Sequence, residues 1–261
     1  MHALGILSVV EEFIKRSDEF LKNLTEEKNL KTYFVNSNLV IFILSAIYGA
    51  TMGIYVGGLQ ILYSAIKVPM LLLVSLYLTI PSYYVLYSLL GGKRNLGQTV
   101  MLLLFGFTSM STVLLALVPV NLFFMITTTK SSATYAFTVL LSIAIFALAG
   151  FFAFTYFVKG AKVLYPESSE NWKPAFLLGS VILMFVGTQL AWVLRPYFNY
   201  YPWFIRPLES NFYTAVTGLI ARFMGLFGAI IIVFGFIFII WLFYSALVSD
   251  REKGAVAQAK S

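Results

Sequence analysis

The 261-residue sequence is 60% hydrophobic and only 11% charged, so it has too few polar groups to cover a folded surface of its size in water. It contains no cysteine and its one histidine is His2, which excludes disulfides, thiol catalysis and a histidine-based metal site or triad. Its net charge of +7 comes without a basic face or a nucleic-acid-binding signature, so we expect no nucleic-acid partner.

Residues 1–37 have the pattern of an amphipathic helix. Apolar positions such as Ile6, Val10, Phe13, Phe20 and Leu24 recur at helical spacing, and charged residues take the opposite side. Acidic residues interrupt the segment early, which is not typical of a secretory signal peptide. The pattern predicts a cytoplasmic helix that lies on the membrane surface or, alternatively, docks on the protein's own cytoplasmic loops.

Six charge-free runs follow between residues 38 and 249, each long enough to cross a hydrocarbon core that requires about 20 apolar residues. Backbone amides must be satisfied internally in lipid, so these runs must be helices. The sequence therefore predicts an all-α, polytopic integral membrane protein with a six-helix transmembrane bundle, an N-terminal amphipathic interfacial helix and a disordered tail over residues 250–261. The runs are Leu39 to Gln60, Val68 to Leu90, Thr99 to Ile126, Tyr135 to Val158, Pro174 to Leu194 and Phe223 to Val248.

Basic residues in the flanking segments predict the orientation. With the N-terminus inside, most Lys and Arg lie on the cytoplasmic side, and the opposite side receives a minority. Six spans return the C-terminus to the same side, so both termini are predicted to be cytoplasmic. The minority comprises Lys67, Lys130, Arg195, Arg206 and Arg222.

Small residues mark two helix-packing faces. Gly49, Gly53 and Gly57 recur every four residues in the first span, and Gly225 and Ala229 repeat the pattern less strictly in the last. A face without side chains lets a neighbouring helix approach closely. Packing within the bundle and a homo-oligomeric contact both remain open.

An aromatic external lid is predicted over residues 195–215. It is too charged to cross a bilayer and too aromatic for a freely solvated loop, so we expect it to lie along one membrane face. Guanidinium groups suit phosphate or carboxylate ligands, and Glu209 is the only acidic residue on that face. A structural Arg to Glu pair and a lipid- or partner-binding site are both open. The candidate binding residues are Gln189, Trp192, Arg195, Arg206, Glu209, Asn211 and Tyr213.

The sequence lacks the residues that proton-coupled carriers and several classes of enzyme use. Every Asp and Glu lies outside the six runs, whereas proton-coupled carriers place titratable groups inside theirs. No phosphate loop, HExxH or GxSxG motif is present, so we predict no catalytic residue, metal site or cofactor. A lipid-linked transferase would have to use the polar residues of the lid.

The passage from Leu89 to Ser109 resembles the Yip family of polytopic membrane proteins, whose eukaryotic members interact with Rab GTPases. Gly91, Gly92, Gln98 and Thr99 match the glycine pair and Gln-Thr that open a middle span in that family. The preceding span with Pro69 is also similar, and the resemblance covers residues 39–158. It implies a non-enzymatic membrane protein that works through partners. The chain differs from that family in its six predicted spans, where the family has five, and in its aromatic second half.

The first hypothesis is thus an accessory or scaffold subunit that contacts membrane lipids and either partner subunits or further copies of itself. The alternative is a passive channel or lipid carrier. Its lumen would be lined by Gln60, Tyr63, Asn121, Thr188 and Gln189.

Overall fold

Long apolar helices make up most of the chain in a computed structural model. It describes residues 17–89, 95–164, 172–195 and 211–218, and the single positions 11, 15, 204, 220, 225, 237, 240 and 241. The chain divides into a unit from Met1 to Phe212 and a unit from Tyr213 to Ser261. The described part of the first unit contains these helices: α1 Ser17–Thr25, α2 Leu30–Gly53, α3 Leu59–Leu89, α4 Leu96–Ala116, α5 Val118–Thr127, α6 Ser132–Leu164 and α7 Trp172–Leu194.

Five of these helices are long and apolar enough to cross a membrane. They correspond to the first five predicted runs, and all secondary structure in the described residues is helical. Multi-pass helical character is therefore confirmed. The sixth run and the tail lie outside the described residues, apart from single positions. The spans are Leu30–Gly53, Leu59–Leu89, Leu96–Ala116, Thr134–Leu164 and Pro174–Leu194.

The third predicted run is wrong as a single helix. It is divided at Leu117, which has φ −89° and ψ 0° and separates α4 from α5. Pro119 lies in the first turn of α5, where its missing N–H leaves no hydrogen bond unmade. Pro69 and Pro81, by contrast, lie inside an unbroken α3.

Helix α3 also begins earlier than predicted. It starts at Leu59 instead of Val68, so Lys67 lies inside a membrane-spanning helix and not in an external flank. Helix α2 likewise begins at Leu30, so the boundary placed at residue 37 falls inside a helix. Lys31 and Thr32 in the first turn of α2 are exposed, whereas Gln60, Ser64 and Lys67 of α3 are buried.

The helix pairs α2–α3, α3–α7 and α4–α6 are each antiparallel. Tyr77 donates a hydrogen bond to Asn38 near one end of the α2–α3 pair, and Gly53 lies against Ile61 at the other end. In the α3–α7 pair, Tyr83 bonds Ser180. The same antiparallel order relates α4 and α6, where Gly106 lies against Phe157 and Gly160 against Leu102.

This arrangement gives the bundle two distinct ends. The first residues of α2, α4 and α7 lie at one end with the last residues of α3 and α6. We call this the α1 end, because α1 packs there on α4 and α6. The other end, which contains the turn at 54–58 and the residues around 128–131, is called the far end.

Two glycines bring α2 and α3 into close contact. A Cβ on Gly49 would overlap the carbonyl oxygen of Ser64, and a Cβ on Gly53 would lie 2.5 Å from Ile61 Cα. This glycine face is therefore occupied within the bundle. Gly57 lies beyond the end of α2 with φ 86°, so it belongs to the turn and not to the helix face.

The apolar side of α1 is buried against the protein. Phe20, Leu21 and Leu24 are fully buried, and the Phe20 ring stacks on Phe105 of α4 with centroids 5.0 Å apart. Lys159 of α6 forms an ion pair with Asp18 at 2.9 Å. Residues 17–25 thus dock on the protein's own helices. The predicted apolar residues before position 11 lie outside the described part.

Candidate functional site

Lys67 is a buried cation at the far end of α3. Its side chain is only 3% exposed. The Nζ lies 5.0 Å from the ring centroid of Phe204 and 6.0 Å from that of Tyr63, and these two rings meet edge to face. Aromatic faces attract cations, and desolvation strengthens that attraction. The rings therefore hold the ammonium group at a defined place.

Lys67 lies inside α3, the second membrane-spanning helix. It precedes Leu89 on α3 by a stretch of helix about 33 Å long at 1.5 Å per residue. The helix continues before Lys67 to Leu59, so α3 is longer than the roughly 30 Å thickness of a hydrocarbon core.

Arg195 is the second buried cation at the far end, just after α7. It is 7% exposed, and its guanidinium carbon lies 3.9 Å from the ring centroid of Trp192. Its Nε donates to the carbonyl oxygen of Trp192 at 3.1 Å, and its backbone N–H donates to that of Ala191 at 2.9 Å. The side chain therefore folds back along its own helix.

The backbone of Arg195 departs from the conformation that is usual before proline. A residue before proline is expected to be extended, but Arg195 has φ 44°, in the left-handed region. The reason is that α7 ends here, and left-handed residues commonly terminate helices. Stacking on Trp192 and two local hydrogen bonds offset the strain.

Lys67 and Arg195 lie at the same level of the bundle. Tyr83 of α3 is level with Ser180 of α7, and Ser75 is level with Gly187. Continuing this antiparallel register for two more helical turns places Lys67 of α3 level with Arg195, the residue just after α7. The far end therefore carries two buried cations on neighbouring helices, each against an aromatic ring. We call Lys67, Arg195, Trp192, Tyr63 and Phe204 the cation–aromatic cluster.

The other predicted binding residues are distributed differently. Gln189 lies partly exposed on α7, Asn211 is exposed, and Tyr213 is exposed at the start of the second unit. Arg206, Glu209 and Ala229 lie outside the described residues. Gly225 is exposed with φ 55°.

Polar residues assigned to the alternative lumen make contacts inside the bundle. Gln60 donates to Ser64 at 3.2 Å, and Asn121 donates to Thr51 at 2.8 Å. Gln60 and Asn121 are almost fully buried. Thr188 donates to the carbonyl oxygen of Phe185 at 3.0 Å. The Asn121 bond joins α5 to α2, whereas the Gln60 and Thr188 bonds lie within one helix, and Thr188 is partly exposed.

A narrow crevice at the α1 end has a mainly apolar lining. It lies between α3, α4 and α7, below the Tyr83–Ser180 hydrogen bond. It lies at the opposite end of α3 from the cation–aromatic cluster. Its lining includes Tyr83, Tyr87, Thr99, Leu102, Leu103 and Phe176.

The sequence analysis did not identify Lys67 as a buried residue, because a cation next to an apolar run was assigned to the segment outside the membrane. A signal was nevertheless present. Gln60, Ser64 and Lys67 recur at i, i+4 and i+7, the spacing of a polar stripe on one helix face. A polar stripe of this kind predicts that the helix includes Lys67 and that the lysine side chain is buried.

Comparison with family models, curated proteins and solved structures finds no match to this chain. The Yip resemblance therefore stays a prediction.

Proposed function

We propose that this protein is a non-enzymatic accessory or scaffold subunit that acts through lipid and protein contacts at the far end of its bundle. The proposal includes the sixth span over residues 223–248 and an N-terminal helix that meets the membrane interface before α1. The observation that carries it is the cation–aromatic cluster, in which Lys67 and Arg195 are both buried at one level. Guanidinium and ammonium groups suit anionic ligands, which supports a role in binding.

The outer face of α7 supports a role in contacts. α7 is the least buried of the five spans, and a stripe of large apolar residues along it is about half exposed. This face suits lipid, the remaining span or another membrane protein. The stripe consists of Leu177, Leu178, Val181, Met184 and Phe185.

Charge distribution supports a cytoplasmic α1 end. The described lysines at that end include Lys31, Lys159 and Lys162, whereas the far end has Lys67 and Lys130. Lys93, Arg94 and Lys173 flank the same helix termini in the sequence. An excess of basic residues in short loops predicts the cytoplasmic side.

Purification of the tagged full chain in mild detergent tests the proposed role. We expect a membrane-protein partner to co-purify in constant ratio, because an accessory subunit must be held by what it serves. A lone monomer with no stable partner would contradict the proposal. If the protein instead produced ion or lipid flux in proteoliposomes, the passive channel or carrier would be the better description.

A further inference from the structure

We propose that two copies of this chain associate in the membrane through the outward face of α2 and α3, around the hydrogen-bonded pair Asn38 and Tyr77. This inference goes beyond the proposed function, because that face is separate from the cation–aromatic cluster at the far end. It specifies the partner as a second copy in the same orientation. The contact consists of hydrogen bonds from Asn38 of each copy to Tyr77 of the other.

The first support is a polar pair on an otherwise apolar outward surface. Tyr77 is 39% exposed and donates a hydrogen bond to Asn38 Oδ1 at 2.6 Å. The exposed side chains about one turn away are large and apolar, namely Phe34 and Phe42 on α2 and Val74 on α3. Polar groups are costly in lipid and commonly bond across helices, so this pair marks a contact with another helix.

The second support is the depth of the pair. Helix α2 runs from Leu30 to Gly53. It is about 35 Å long at 1.5 Å per residue, and Asn38 lies about 12 Å from its first residue. A hydrocarbon core about 30 Å thick that α2 crosses therefore contains Asn38 wherever its boundaries fall along the helix. Water at the membrane surface thus does not satisfy the remaining hydrogen-bonding groups of the pair.

The third support is that the pair has both a donor and acceptors left over. Asn38 Nδ2 donates to the carbonyl oxygen of Phe34 at 2.8 Å. In the described part of the chain this is the one bond from an amide nitrogen that has two N–H groups, and the Tyr77 hydroxyl oxygen can accept a further bond. Pro81, one turn further along α3, lacks the N–H that would bond the carbonyl oxygen of Tyr77, so this oxygen is a second acceptor.

A second copy supplies the complementary groups. Copies inserted in the same direction can meet about a two-fold axis along the membrane normal, and such an axis brings the same residues of both copies together at the same depth. Each Asn38 amide would then donate to Tyr77 of the other copy, which gives two equivalent bonds. The glycine face of α2 is not an alternative contact, because Gly49 and Gly53 already pack on α3.

Cysteine crosslinking of the full chain in membranes locates the contact, and the sequence has no cysteine to interfere. Phe42→Cys lies one turn from Asn38 on the outward face and should form a disulfide-linked dimer on mild oxidation. Leu148→Cys is the matched control and should stay monomeric, because both positions are 45% exposed but Leu148 lies on α6, outside the contact. Both substitutions leave Asn38 and Tyr77 unchanged, so this result does not depend on the folding of variants of the pair.

The association constant in liposomes measures the contribution of the pair. Förster transfer between terminally labelled full chains, followed as the protein is diluted in lipid, should show reversible dimers of the wild type. Asn38→Leu and Tyr77→Phe should each lower the association constant about tenfold, because each removes both symmetric bonds. Ser180→Ala is the control, because it removes the Tyr83–Ser180 bond inside the bundle and should leave association unchanged.

Three results would overturn the inference. One is a wild type that stays monomeric at every dilution, in which case the pair faces lipid or a different protein. The second is a dimer whose association constant is the same in Asn38→Leu and Tyr77→Phe as in the wild type. The third is a dimer that crosslinks through Leu148→Cys and not through Phe42→Cys. A membrane-protein partner can still co-purify in each case, so failure of this contact is distinguishable from failure of the accessory role.

Discussion

Replacing Gly49 by alanine is expected to destabilise the bundle by about 3 kcal/mol, at the upper end of the usual cost of overpacking. In an open helix the same change stabilises by up to about 1 kcal/mol, because alanine has the higher helix propensity. Here the added methyl group would overlap the carbonyl oxygen of Ser64 and lie 3.0 Å from Val68 Cγ2. Backbone cannot move aside as a side chain can, so α2 and α3 must separate.

Gly150→Ala is the matched control for this prediction. Gly150 lies inside α6, and an added Cβ there meets no atom within 4 Å. Unfolding of both variants in a detergent titration, followed by circular dichroism, should show a loss for Gly49→Ala and no loss for Gly150→Ala. Equal stability of the two variants would refute the close approach of α2 and α3.

Truncation of Phe105 is expected to have a similar effect and to release α1. Phe105 is fully buried, stacks on Phe20 of α1 and meets Tyr156 of α6 edge to face at 5.2 Å. Phe→Ala changes in protein cores cost about 3–5 kcal/mol. Within a bilayer the loss comes mainly from packing, so we expect about 3 kcal/mol.

Hydrogen exchange across residues 17–25 reports on α1 directly. In Phe105→Ala, we expect protection of this segment to fall, because Phe20 loses the ring on which it stacks. Phe123→Ala, at a position that is 61% exposed on α5, should leave the protection intact. If α1 stayed equally protected in both variants, its docking would not depend on Phe105.

The helical type of the first five runs could be predicted because long charge-free runs have few alternatives in lipid. Their ends could not, because tertiary contacts decide where a helix stops. Lys67 packs against the Phe204 ring, and α3 extends past it. Leu117, by contrast, interrupts an apolar run that contains no charged residue. Residues 17–25 pack on other helices of the chain, whereas the sequence left open the membrane surface and the cytoplasmic loops, because an apolar face does not reveal what it packs against.

The candidate site was only partly visible in the sequence. Arg195 and Trp192 were identified from their place among aromatic residues, but Lys67 is distant from them along the chain. What brings them to one level is the antiparallel register of α3 and α7, in which Tyr83 packs on Gly179 and Ser180, and Ser75 lies near Gly187. No local pattern specifies that register.

Sided labelling of single cysteines tests the membrane-crossing arrangement most directly, and the absence of native cysteine makes the background clean. Glu26→Cys at the α1 end and Gly58→Cys at the far end both replace exposed residues. An impermeant maleimide added outside intact cells should label Gly58→Cys, and Glu26→Cys should react only after the cells are opened. Labelling of both positions from the same side would contradict the arrangement of α2 as a membrane-crossing helix with the two ends of the bundle on opposite faces.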